Sequence, residues 1–178
     1  MDALQEFEKN YKAVLEKKEF PGEGLELAIA AEAAGRAAYL ELARSAAFKN
    51  VSSFFNFLAG EEALHQKMLE DLGASLKSMG KWREPSPGEE KKIGEKPPEF
   101  KKLLAETDEL RKNEVQGIIK SIRIEAEFRD FYAGMAGKSP GVEAKRLFSA
   151  LSKFEQKHYD MLSEIYESVT STREYTMG

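Results

Sequence analysis

Apolar residues recur at three- and four-residue steps along most of the chain, and no stretch keeps a two-residue alternation. That periodicity predicts an all-α fold. Leu4, Phe7, Tyr11, Val14 and Leu15 outline one amphipathic helix over residues 2–18, which Phe20-Pro21-Gly22-Glu23-Gly24 breaks. An Ala-rich segment of high helix propensity follows over about 25–48. Asn50-Val51-Ser52-Ser53 supplies a turn and N-cap, and a second long helix then runs to about 72. Four prolines (85, 87, 97, 98) and four glycines (73, 80, 88, 94) fall within 73–107. That segment is a connection, with a short helix around 100–105. A further helix is predicted from about 108 to 136. Lys138-Ser139-Pro140-Gly141 stops it, and a last helix runs from about 142 to 169.

Composition narrows the function more than the fold. With 178 residues and 42% hydrophobic content, the chain is expected to form one domain over 1–178 around one sizeable core. Charged residues reach 33% and the net charge is −4, so neither nucleic acid nor an anionic membrane is the expected partner. There is no cysteine, which excludes disulfides, thiol-ligated metals and cysteine nucleophiles. No apolar run is long enough to span a bilayer and the first residues hold no signal core, so a cytoplasmic protein is expected.

The chemistry lies in an internal repeat. Both histidines follow a glutamate by three positions, in Glu62-Ala-Leu-His65 and Glu155-Gln-Lys-His158. Glu32 precedes Glu62 by 30 residues and Glu125 precedes Glu155 by 30; Tyr39 and Tyr132 each follow the lone glutamate by seven. The constellation recurs at one offset of 93, and Ile29/Ile122, Arg36/Arg129, Phe55/Phe148, Leu58/Leu151, Met68/Met161 and Leu69/Leu162 keep the register. A duplicated helical hairpin over 24–72 and 108–169 accounts for this.

Helix geometry says what the constellation can do. Residues at i and i+3 share a face, so each Glu-x-x-His can reach one point. The lone glutamate and the Glu-x-x-His lie equidistant from the turn in each hairpin, hence level with each other. Their neighbours Phe55, Leu58, Leu69, Leu72, Ile118, Ile122 and Phe128 are apolar, so the acids point into the core. Four buried carboxylates need counter-charge, since an unpaired buried ion costs several kcal/mol. Two divalent cations balance four glutamates, with one imidazole for each ion. Glu32, Glu62, His65, Glu125, Glu155 and His158 are therefore the expected ligands of a two-metal site. Carboxylate-rich ligation points to iron first, with manganese or zinc as alternatives.

Tyr39 and Tyr132 stand about 10 Å along the helix from their glutamates. They are placed to hydrogen-bond a ligand carboxylate of the facing hairpin, in a supporting role to catalysis. Glu61, Glu127, Arg36 and Arg129 are expected at the surface or rim. Phe57 and Leu64 share a stripe facing away from the acids, which predicts a covered face: the 2–18 helix, a second copy in a homodimer, or both.

These residues resemble the ferritin-like superfamily, and within it the rubrerythrin-type di-iron proteins. The matching segments are Ala28-Ile29-Ala30-Ala31-Glu32 with Tyr39, Glu61-Glu62-Ala63-Leu64-His65, Ile124-Glu125 with Tyr132, and Glu155-Gln156-Lys157-His158. The resemblance implies a four-helix bundle with a long crossover over 73–107, here with an extra N-terminal helix. The chain departs from it in two ways. Rubrerythrins proper carry a four-cysteine rubredoxin-like domain, which is absent here, and an extra glutamate one turn past the third-helix ligand, where this chain has Phe128.

The expected function is a di-metal carboxylate redox protein resembling a peroxidase-type oxidoreductase. It would reduce peroxide, or use O₂ to oxidise iron, with electrons from a separate donor such as a rubredoxin. A di-manganese catalase-like activity is a variant of it. Iron storage, or a metal-stabilised bundle without catalysis, are the alternatives.

Overall fold

The computed structural model describes residues 22–79, 94–139 and 141–176. Five α-helices appear among them: α1 (Gly22–Ser45), α2 (Lys49–Met79), α3 (Phe100–Ala105), α4 (Lys112–Lys138) and α5 (Val142–Thr176). A single 3₁₀ turn, Thr107–Glu109, joins α3 to α4. No strand occurs among the described residues. The helix expected over 2–18 and the crossover's centre, 80–93, lie outside them.

Helices α1 and α2 pack along each other, as do α4 and α5. Side-chain pairs fix how the two hairpins meet. Tyr39 and Glu32 of α1 face Glu125 and Tyr132 of α4, in reverse order along the chain. Glu62 and His65 of α2 face His158 and Glu155 of α5, again reversed. Both pairings are antiparallel, so α2 and α4 run parallel, as a long crossover from one end of the bundle to the other requires. This is a ferritin-like helical bundle.

The interior has three layers. One apolar cluster gathers Leu69, Leu72, Phe128, Phe131, Phe148 and Leu151 at one end. Another gathers Phe54, Phe55, Leu58, Met161, Leu162 and Ile165 at the other, closed over by Phe100, Leu103 and Leu110 of the returning crossover. Between them lies a polar layer of six fully buried residues, described below. Aromatic packing repeats with the sequence: Tyr39 stacks on Phe55 at 6.0 Å between ring centroids and Tyr132 on Phe148 at 6.1 Å.

Helix ends differ from the periodicity's prediction where tertiary contacts intervene. Helix α2 runs through Gly73 to Met79 instead of stopping near 72. Gly73 is a point of close approach, because a Cβ there would lie 3.1 Å from Leu25 Cδ2 of α1. Helix α1 ends at Ser45 rather than near 48, and α2 begins at Lys49 without waiting for the serines. The buried Glu114 of α4 explains the tight turn. Its Oε1 accepts the Ala47 and Phe48 amides at 2.9 and 3.3 Å, and its Oε2 accepts the Arg111 amide at 2.9 Å. One carboxylate thus caps its own helix and takes up two amides at the start of another.

Helix α4 starts at Lys112, not 108, since Thr107–Glu109 forms the 3₁₀ turn and Leu110 is extended and buried. At the far end α5 continues to Thr176, past the expected 169, through a polar stretch with no glycine or proline to stop it.

Candidate metal centre

All six expected ligand residues meet in the central layer, and each has no exposed surface. Helix α1 supplies Glu32, α2 supplies Glu62 and His65, α4 supplies Glu125, and α5 supplies Glu155 and His158. His65 Nδ1 lies 3.5 Å from Glu32 Oε2, 3.3 Å from Glu62 Oε2 and 3.2 Å from Glu155 Oε1. His158 Nδ1 lies 3.4 Å from Glu62 Oε1, 3.6 Å from Glu125 Oε2 and 3.5 Å from Glu155 Oε2. The two imidazoles stand 5.5 Å apart, 22° from parallel.

The donors form two overlapping groups: Glu32, Glu62, His65 and Glu155 on one side, and Glu62, Glu125, Glu155 and His158 on the other. Within each group the donor atoms lie within 4.8 Å of one another. Glu62 and Glu155 belong to both, and each turns one oxygen to either histidine. Glu32 and Glu125 belong to one group each.

Whether these residues suit cations is answered by their unmet valences. Ten buried side-chain oxygens and nitrogens lack a hydrogen-bond partner among the described residues, and all ten belong to these six side chains. Buried polar atoms are almost always paired. Here eight of the ten, all but the two Nε2 atoms, converge on shared points, with hard carboxylate oxygens and imidazole Nδ1 as donors. That set fits divalent first-row metals.

The same crowding biases the protonation of the six side chains. Burial, then the charges of Glu62 and Glu155, push Glu32 well above the ordinary carboxylate value. Burial and Glu155 do the same to Glu125. Burial would also raise Glu62, but the imidazoles of His158 and His65 outweigh it and hold that carboxyl down. The same two imidazoles lower Glu155 against burial and the Glu62 charge. Burial alone would depress His65, yet Glu155 and Glu32 hold it well above its usual value, and Glu125 foremost does so for His158. The shifts thus favour protons on Glu32, Glu125 and the two imidazoles, and the charged form of Glu62 and Glu155.

Tyr39 Oη donates to Glu125 Oε1, and Tyr132 Oη to Glu32 Oε1, each across to the other hairpin. Burial, then the facing glutamate's charge, push both phenols well above their usual value, so they stay neutral donors. Each leaves only Oε2 of its glutamate turned to the centre.

The rim differs from expectation at one residue. Arg36 is exposed, and Arg129 is half-buried, bound to Asp130 and Gln156. Glu61, expected at the surface, is only 7% exposed. Its Oε2 accepts the Gly94 amide and lies 3.8 Å from His158 Nε2. The signal was present in the repeat register: the residue 93 positions on is Phe154, which marks position 61 as interior.

A family model described as Rubrerythrin matches residues 23–166, a span containing all six cluster residues and both tyrosines. The chain belongs to the rubrerythrin family. That is a ferritin-like di-iron family, and in this member the matched span covers both hairpins with no rubredoxin domain indicated. No curated protein and no solved structure matches the chain. This rubrerythrin-family bundle has no described helix long and apolar enough to cross a membrane.

Proposed function

We propose that this protein binds two divalent metal ions, iron first, and reduces peroxide with electrons from a separate donor. The observation that carries the reading is the convergence of eight unpartnered buried donor atoms, six carboxylate oxygens and two Nδ1 atoms, on two shared points. Glu32 and His65 would hold one ion, Glu125 and His158 the other, with Glu62 and Glu155 between the two. When bound, such a pair of ions supplies two electrons at adjacent positions and a place to hold both oxygens of a peroxide.

The chain's own residues prepare the rest. Complete burial of the six side chains keeps bulk water from the centre and strengthens each charge interaction inside it. Tyr39 and Tyr132 fix the rotation of Glu125 and Glu32 and hold hydroxyl protons beside the centre. Peroxide reduction consumes two electrons and two protons to give two waters. The proposed source of the electrons is a separate donor, a rubredoxin-like partner or its equivalent. A homodimer completes the proposal: Leu64 is 45% exposed beside a half-buried Phe57 and an open Gly60, a surface a second copy would cover.

Stopped-flow mixing of the anaerobic Fe(II) form with peroxide tests the redox reading. Rapid oxidation consuming one peroxide per two Fe(II), faster than oxidation by O₂, is the expected result. Inertness toward peroxide overturns it in favour of a metal-stabilised bundle, and mineral growth in a large multi-subunit assembly favours storage.

A further inference from the structure

The two halves of the centre match at an offset of 93 in all six cluster residues and both tyrosines. They differ one position before each Glu-x-x-His, where α2 carries Glu61 and α5 carries Phe154. Each of these side chains lies against the histidine of the opposite helix. Glu61 Oε2 faces His158 Nε2 at 3.8 Å. The Phe154 ring stacks on His65 with centroids 5.4 Å apart and planes 12° from parallel. The same place in the repeat holds a carboxylate behind one imidazole and a hydrocarbon ring behind the other.

Both histidines turn Nδ1 toward the carboxylates, so Nε2 is the outward nitrogen in each. Both Nε2 atoms are buried and neither has a hydrogen-bond partner among the described residues. An imidazole that ligates through Nδ1 carries its proton on Nε2, and a carboxylate accepting that proton orients the ring and raises its basicity. His158 has such a group within reach. His65 does not.

Glu61 is held there by a segment that the duplication does not contain. Gly94, in the returning crossover, donates its amide to Glu61 Oε2. Its φ of 72° lies in the left-handed region that favours glycine, and a Cβ there would run into the Lys157 side chain. The crossover occurs once in the chain, so only one half of the centre receives this support.

We propose that Glu61 is a positioning residue that makes the Glu125–His158 half the tighter site for the first divalent cation, the Glu32–His65 half filling second. The proposal rests on the two-metal reading above.

The test uses the full chain, stripped by chelator and titrated with Co²⁺ and Zn²⁺ by calorimetry and cobalt absorption. Two ions should bind in steps at least about tenfold apart, the span that outer hydrogen-bond partners of metal ligands command. Glu61→Gln keeps an acceptor for Gly94 but removes the charge. It should weaken the tighter step about 10–100-fold, leave the weaker within about threefold, and so merge the two. NMR of the Zn²⁺ form gives a readout that a merely structural role would not move, because the chain has only two histidines. One Nε2–H should resonate well downfield of the other, and the difference should vanish in Glu61→Gln.

Two wild-type steps of equal affinity with matching Nε2–H resonances overturn the proposal and leave the metal reading standing. Equal weakening of both steps in Glu61→Gln overturns it as well. Absence of any binding to the wild-type chain overturns both readings. The wild-type measurements decide the matter even if the variant fails to fold.

Discussion

Phe128 of α4 occupies the space left by the missing side chain of Gly35 on α1: a Cβ on Gly35 would lie 3.2 Å from Phe128 Cε2 and 3.7 Å from Glu62 Cγ. The two positions are 93 residues apart and so equivalent in the repeat. A ring on one side meets nothing on the other, which lets the hairpins close over the polar layer without two bulky groups colliding.

Gly35→Ala sets two effects against each other. Alanine gains roughly 1 kcal/mol in a helix interior, while overpacking a fitted core costs about 1–3 kcal/mol. The contact is tight and its partner fully buried, so the net expectation is a loss of about 1 kcal/mol. A double-mutant cycle with Phe128→Leu should show coupling of at least about 0.5 kcal/mol by denaturant unfolding. Additive effects would mean that the two side chains do not compete for space.

Glu114→Ala removes the acceptor of three backbone amides at once. Loss of a buried charged acceptor costs about 1.5–3 kcal/mol for each well-formed bond, discounted because water reaches the turn once the side chain is gone. The expected net loss is about 2–3 kcal/mol in urea unfolding, with metal stoichiometry unchanged. Loss of both metals from a still-folded Glu114→Ala chain would contradict this division between structural and metal-facing glutamates.

Glu62 and Glu155 each belong to both donor groups, whereas Glu32 belongs to one. Glu62→Ala and Glu155→Ala should therefore each abolish tight binding of both ions. Glu32→Ala should leave one ion bound, in the Glu125–His158 half. Elemental analysis after dialysis against equal metal concentrations checks the pattern. One tightly held ion in either Glu62→Ala or Glu155→Ala would disprove the shared role.

The pH dependence of the metal-free chain has a worked sign. Glu32, Glu125, His65 and His158 have folded pKa values above their unfolded ones, so their support is complete at low pH and lost as pH rises through the folded values. Glu62 and Glu155 are lowered, so their support is present above the ordinary carboxylate value of 4.5 and lost as pH falls below it. Chelated protein should be most stable near that value and weaken as pH rises, through the ordinary histidine value of 6.5 and on toward pH 9.

Metal binding needs deprotonated ligands, so loading two ions should release protons near pH 6. The melting-temperature gap between loaded and chelated protein should widen from pH 5 to pH 8. Calorimetry in buffers of different ionisation heat, with thermal scans, measures both. A gap that narrows over that interval would refute the assignment.

The helical class, the duplication and the eight residues that meet at the centre are legible along the chain alone. This is because an i, i+3 pair and a lone glutamate at equal distance from a turn are local relations, and helix geometry converts them into a shared face. Packing between helices supplies what local spacing cannot express. Gly73 reads as a stop until Leu25 is seen lying against it, and nothing in the local pattern singles out Glu114, which accepts two amides from another hairpin. The register with Phe154 marks position 61 as interior, but it does not show that the crossover brings Gly94 to Glu61 or that Phe154 stacks on His65. In each case the deciding partner lies in a different element, and only packing brings the two together.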